Sequence, residues 1–204
     1  MEHYYEKTGD KMHVAERLTA HETGRPATYE DVLRAPPERV AEIIHERLYT
    51  HPRPASRHAL AGSSLGMIIG NRYHRVDNGG PGGWWILYEP ELHRDNQILV
   101  PDLAGYRRQR MPEFPDAPYF ELAPDWVCEV LSSSTARMDR VLKMPLYARF
   151  GVGHPWLIDP KLQTLEVFEL QEGRWFPWGA FEENDTVTVV PFDVLSFNPD
   201  ALWP

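Results

Sequence analysis

The chain has 204 residues, 42% of them hydrophobic and 25% charged, ordinary values for a globular protein long enough to bury a core in one domain. A net charge of −9 argues against a broad basic surface that grips nucleic acid without preference, but leaves room for a local basic cleft. No stretch nears the ~20 apolar residues of a membrane helix, the N-terminus lacks an apolar signal core, and a single cysteine, Cys128, excludes an intrachain disulfide, so a cytoplasmic setting is expected.

In chain order, residues 1–25 are polar, lack a sustained period and are expected to form a loose arm. "TYEDVLRAP" predicts a short helix, with Thr28 able to cap it, Glu30 and Asp31 favouring its start, and Pro36-Pro37 stopping it. The second half of "RVAEIIHERLYT" is expected as a strand leading into the proline-rich turn "HPRPAS". "SRHALAGSSLGMIIGNRYH" reads as a helix whose small residues, Ala59, Gly62, Gly66 and Gly70, suit close packing on a sheet. After the "NGGPGG" loop come strand signals in "WWILYEPEL", "ILVPDLAGY", "DWVCEVLS", "PWLID" and "TLEVFEL". A helix, "TARMDRVLKMPLYARF", lies between the third and fourth and ends at Gly151 and Gly153. "GRWFPW" and "TVTVV" complete a strand-rich C-terminus. The expected class is α/β, a mixed β-sheet flanked by helices in a single domain.

Two of these strands each carry one acid among apolar residues. Strand alternation puts Glu129 on the face of Val127 and Leu131, and Asp102 on the face of Ile98, Val100 and Ala104. A lone buried acid is as often a structural ion pair as a functional group. Two from separate strands would repel unless a cation lies between them, an arrangement suited to Mg²⁺. On the following helix Met138, Val141, Leu142 and Pro145 are expected to form the apolar face, with Lys143 at its flank beside Asp139. Lys143 can run its stem along the core toward the sheet, or remain a solvated lysine paired with Asp139. In the first case, exchanging it for methionine is expected to leave stability little changed.

Taken together, Pro101-Asp102, Glu129-Val130-Leu131-Ser132, Asp139-Arg140, Lys143, "YARFGV" and "WLIDP" resemble the Uma family of putative restriction endonucleases, a branch of the PD-(D/E)XK nuclease superfamily. The resemblance covers most of the chain and implies a restriction-endonuclease-like domain over 26–204. It implies Asp102, Glu129 and the Val130 backbone carbonyl as ligands of Mg²⁺ or Mn²⁺, and a DNA phosphodiester as substrate. The usual motif lysine would fall at Leu131; in this family its counterpart is Lys143. Asp95-Asn96 reads as a hairpin turn that sets Glu89 opposite Asp102, with Glu91 on the same face, so either can join the metal site or be a solvated acid at the strand end. The implied function is a metal-dependent DNA endonuclease. The alternative is an inactive nucleic-acid-binding or interaction protein that keeps the nuclease fold.

Other signals carry less. "GSSLG" fits a nucleophile-elbow pattern, but no strand precedes it. "YRRQR", 106–110, is the best local basic patch for a phosphate backbone. His45, His51 and His58 show no metal spacing and read as scattered surface or core residues. Because a duplex has two strands to cut and the chain one site, a homodimer is expected, with Trp175, Phe176 and Trp178 at its interface.

Overall fold

The structure, a computed structural model, describes residues 19–21, 24–74 and 81–204. Of the arm expected over 1–25, residues 1–18 and 22–23 lie outside the described residues, as do residues 78–80 of the glycine-rich loop. Thr19–His21 form a short edge strand, β1.

Two tight turns build an N-terminal sheet. β2 (Arg39–Ile44) and β3 (Arg47–Pro52) are joined by His45-Glu46, at φ 50° and 64°, the doubly positive geometry that suits a two-residue hairpin. The strand expected in "RVAEIIHERLYT" is therefore β3, and the first half of that segment is a strand too. β5 (Leu92–Arg94) and β6 (Gln97–Leu99) turn at Asp95-Asn96, at φ 49° and 60°, with Arg94 opposite Gln97. These strands form an antiparallel sheet in the order β1-β3-β2-β6-β5. A short helix, α1 (Tyr29–Leu33), covers part of it, and its Asp31 accepts the Thr28 N–H at 2.8 Å.

The second sheet contains β4 (Trp84–Tyr88), β7 (Leu103–Arg107), β8 (Trp126–Val130), β9 (His154–Asp159), β10 (Thr164–Gln171) and β11 (Arg174–Glu182), in the order β11-β10-β9-β8-β7-β4. It is mixed, as expected, because β8 and β9 are parallel and the rest antiparallel. A parallel pair needs a crossover, supplied here by a helical segment: α3 (Ala136–Met138), a π-helical turn over Asp139–Lys143, and α4 (Met144–Phe150). The left-handed Gly151, φ 77°, closes it. The smaller sheet was not expected: β1, β5 and β6 have three residues each, too few to show a period, and nothing local in the sequence separates β2 and β3 from the larger sheet.

One long hairpin feeds both sheets. Tyr88 pairs with Leu103 in the larger sheet and Leu92 with Leu99 in the smaller, in a single continuous register. Pro90 and Pro101 interrupt it, since neither has an N–H for the ladder. "WWILYEPEL" and "ILVPDLAGY" thus each split into two strands, and Asp102 falls on the seam.

The central strands of the larger sheet, β7 to β9, are buried on both faces. Cys128 and Val130 join Leu65, Ile69, Trp156 and Phe192 on the side of α2 (Ser56–Tyr73), while Val127 and Leu131 join Leu146, Tyr147 and Phe150 on the side of α4. Of the expected small-residue stripe on α2, Gly62 and Gly66 are buried, Ala59 is exposed and Gly70 has no neighbour close to where a Cβ would lie. A Cβ on Gly66 would sit 1.8 Å from the Tyr88 hydroxyl oxygen, so any larger residue there would have to push that half-exposed ring aside. Among the described residues no helix is long and apolar enough to cross a membrane.

Candidate active site

Alternation along β8 places Glu129 on the α4 side, between Val127 and Leu131. Asp102 precedes Leu103 and Ala104, which lie opposite Cys128 and Val127, so its carboxylate emerges beside Glu129 on the same face. It reaches the edge of β8, where Oδ2 accepts the Val130 N–H at 2.7 Å. Its other oxygen, Oδ1, lies 3.3 Å from His58 Nε2 on α2. Both acids line a cleft of about 360 Å³, walled by the Pro52–Ala55 link and by Ser132–Thr135.

Lys143 comes to the cleft from the π-helical turn, 2% exposed. Its Nζ lies 2.8 Å from Glu129 Oε1, 3.1 Å from Glu42 Oε1 and 3.8 Å from Asp139 Oδ1, and donates to the Val100 carbonyl at 3.1 Å. Tyr147, one turn on, donates its hydroxyl to Glu129 Oε1. The inward face of this helical segment runs through Met138, Asp139, Lys143, Leu146, Tyr147 and Phe150, while Val141 and Pro145 point outward. The expected apolar face was misplaced, because two of the inward positions carry charges that are paired inside.

Glu42 was missed in the sequence. It lies on β2 of the smaller sheet, fully buried, and its Oε1 accepts the Val100 N–H at 2.7 Å where a ladder partner would otherwise stand. Its Oε2, 3.4 Å from His51 Nε2, makes no hydrogen bond. The signal was present: "VAEII" sets one acid among apolar residues, as "WVCEVL" does. His58 and Tyr147 offered no comparable signal, because only the fold brings them to the site.

Three buried acids surround one lysine, and their proton affinities diverge. Burial pushes Glu42 up, but Lys143, His51 and the Val100 N–H together outweigh it and hold the carboxyl at about 2. Burial also raises Glu129, to about 7; Lys143 opposes this, while Asp102 and Glu42 reinforce it. Asp139 is raised well above the carboxylate range by burial and by Glu129. For Lys143, burial favours the neutral amine, yet Glu129 and Glu42 overcome it and hold the ammonium. Burial likewise lowers His58, but its contact with Asp102 wins and the net shift is upward. Cys128 is buried and its thiol pushed up, so it is no nucleophile.

Several expected features lie elsewhere. Glu89 lines the cleft with its carboxylate on Arg53, whereas Glu91 is held by His93 at 2.6 Å and does not line it. The arginines of "YRRQR" are committed: Arg107 and Arg110 pair with Asp125, and Arg108 lies over Trp85 and donates to the Trp84 and His74 carbonyls. "GSSLG" lies within α2, without the strand an elbow needs.

Among the described residues no three His, Cys, Asp or Glu side chains are spaced to hold a metal between them. The donor set on the cleft floor is two carboxylates, with one Glu129 oxygen already taken by Lys143 and Tyr147. Such a set lacks the nitrogen and sulfur ligands of a structural zinc site. It fits Mg²⁺, which takes one or two carboxylates and fills its octahedron with water and substrate phosphate.

Comparison with known proteins bears on the fold and the family. A crystal structure of a putative nuclease belonging to DUF820 from Anabaena variabilis ATCC 29413 is similar at a TM-score of 0.69 and 25% identity, over 87% of this chain and 97% of that one. No curated protein matches. The profile of the Uma2 family, described as "Putative restriction endonuclease", matches residues 26–198, a span that contains both sheets' central strands and every residue of the cleft, and the chain belongs to that family.

Proposed function

We propose that this protein is a metal-dependent endonuclease that hydrolyses phosphodiester bonds, with DNA as the substrate. The observation that carries the reading is the meeting of Asp102 and Glu129, from adjacent strands, on the floor of one cleft, with Lys143 bonded to Glu129 at 2.8 Å. Asp102, Glu129 and the Val130 carbonyl would hold Mg²⁺ or Mn²⁺. When bound, the ion neutralises charge on the scissile phosphate and lowers the pKa of a water.

The chain's own residues prepare the site. Lys143 balances the charge of Glu129 and, with Tyr147, fixes the direction of its carboxylate. The Val130 N–H and His58 do the same for Asp102, so both oxygens of that group are oriented before substrate arrives. Water attacks phosphorus in line with the departing ester oxygen, one P–O bond forming as the opposite one breaks.

Single-turnover cleavage of labelled duplex DNA, single-stranded DNA and RNA in Mn²⁺ tests the reading. Cleavage of DNA by the parent, lost in Asp102→Asn, supports it. Binding without cleavage would move the chain to the alternative, a nucleic-acid-binding protein on a nuclease fold. For duplex cleavage the reading includes a homodimer through the edge strand β11, where Phe176 and Trp178 are half-exposed. Trp175 serves the core instead, with its Nε1 donating to the Met144 carbonyl. The cytoplasm is the compartment that this reading assigns.

A further inference from the structure

Two hollows meet at one ion pair. Arg53, in the link between β3 and α2, and Glu89, just after β4, join at 2.8 Å above the floor that Asp102 and Glu129 form. The same two side chains also line an adjoining groove of about 310 Å³ that runs past Pro36 and Pro37 toward Arg39. The pair therefore stands as a bar between cleft and groove. It is a weak bar, since the two side chains are 55% and 33% exposed and pairs in such surroundings contribute little.

Arg53 differs from every other cation at the cleft. Lys143 is enclosed and occupied by Glu129 and Glu42, His58 rests on Asp102, and His51 rests on Glu42 and the Pro52 carbonyl. Among the described residues Arg53 alone holds a guanidinium at the mouth, and Pro52 and Pro54 on either side stiffen the backbone that presents it. A guanidinium fork matches two phosphate oxygens better than the single carboxylate oxygen it now contacts. Glu89 has its own peculiarity. Its φ is 43°, left-handed for a residue with a Cβ, and its N–H is tied to the Asp102 carbonyl at 3.1 Å. A residue held in that conformation beside reactive groups points to a functional constraint.

We propose that Arg53 is the phosphate-binding residue of the cleft, and that a nucleic-acid strand opens the Arg53–Glu89 bar and runs from the cleft into the adjoining groove. Glu89 competes with the incoming phosphate for the same guanidinium and so keeps the mouth shut until a polyanion displaces it. This inference rests on the nuclease reading and adds to it the residue that meets the substrate backbone and the path that the strand takes.

Fluorescence anisotropy of labelled DNA, single-stranded and duplex, in EDTA to prevent cleavage, tests it on the full chain. Arg53→Gln should weaken binding roughly tenfold for every sequence and lower the slope of log affinity against log salt by about one. Glu89→Gln should strengthen binding about two- to fivefold by releasing Arg53. The double variant should bind as Arg53→Gln does, because the gain runs through Arg53. Wild-type affinity and slope in Arg53→Gln overturn the proposal, as does a gain from Glu89→Gln that persists in the double variant. If Arg53→Gln melts early, Glu89→Gln decides alone, and no gain overturns the proposal. Failure of the wild-type chain to bind any nucleic acid, in EDTA and again with Ca²⁺ in its place, is a different result: it removes the nuclease reading itself.

Discussion

Replacing Lys143 by methionine tests the buried charge cluster. The side chain keeps most of its length, so little packing is lost, but the ammonium that touches Glu42, Glu129 and Asp139 disappears. All three acids are buried. Removing one partner of a buried pair typically costs about 3–5 kcal/mol, because the charge left behind has no counterpart. In a chain of this size each kcal/mol moves the melting temperature by about 2–4 °C, so a fall of roughly 6–20 °C is expected near neutral pH. This replaces the expectation, drawn for a lysine whose stem lies along the core and whose amine reaches the acids, that stability would hardly change; three buried acids left without their cation make the difference. The loss should shrink on acidification, since the variant's native state takes up protons that the unfolded chain does not, and its stability therefore falls more steeply with rising pH than the parent's. Adding Glu42→Gln should restore part of the stability, because the amide oxygen still accepts the Val100 N–H without a charge. Urea or thermal unfolding at two pH values measures all of this. A Lys143→Met chain as stable as the parent at pH 8 would refute the reasoning.

Three further outcomes follow from the same structure. The folded Glu129 carboxyl, at about 7, lies above its ordinary 4.5, so its stabilising contribution is complete below about pH 4.5 and is lost as pH rises through 7; unfolding titrations should show that decline in the parent and not in Glu129→Gln. A Cβ on Gly105 would lie 3.1 Å from Trp126, 3.2 Å from Trp84 and 3.3 Å from Ile86, so Gly105→Ala should cost about 1–3 kcal/mol in chemical denaturation; an unchanged midpoint would mean that the core there yields freely. Trp178→Glu should convert a sedimenting dimer to monomer without altering the melting of the protomer, whereas a parent that sediments as a monomer at micromolar concentration removes the β11 interface.

Much of the site was legible in the sequence because charge in an apolar strand is a local signal. Glu129 among Trp126, Val127, Cys128, Val130 and Leu131 could be noticed without knowing the fold, and Asp102 after Pro101 could be joined to it by strand alternation. The Asp95-Asn96 turn even set the register that carries through to Asp102, because a two-residue hairpin leaves no freedom in pairing. What could not be read is long-range. Glu42 reaches Lys143 from the other sheet, His58 reaches Asp102 from the start of α2, and Tyr147 reaches Glu129 from the next helical turn. The inward face of the helical segment was misread for a related reason, since Asp139 and Lys143 look like surface residues until their partners are placed. Ala59 and Gly70 show the converse: small residues at helical spacing suggested close packing, but only Gly62 and Gly66 are buried.

The central claim is that Asp102 and Glu129 together hold one divalent ion. Calorimetric titration of Mn²⁺ into the parent and into Asp102→Asn tests it without requiring a substrate. The account predicts one site per chain in the parent, with affinity rising as pH passes 7 and Glu129 ionises, and loss of that site in Asp102→Asn, while Lys143→Met keeps it at any pH where it stays folded. Equal Mn²⁺ binding by the parent and by Asp102→Asn would contradict it.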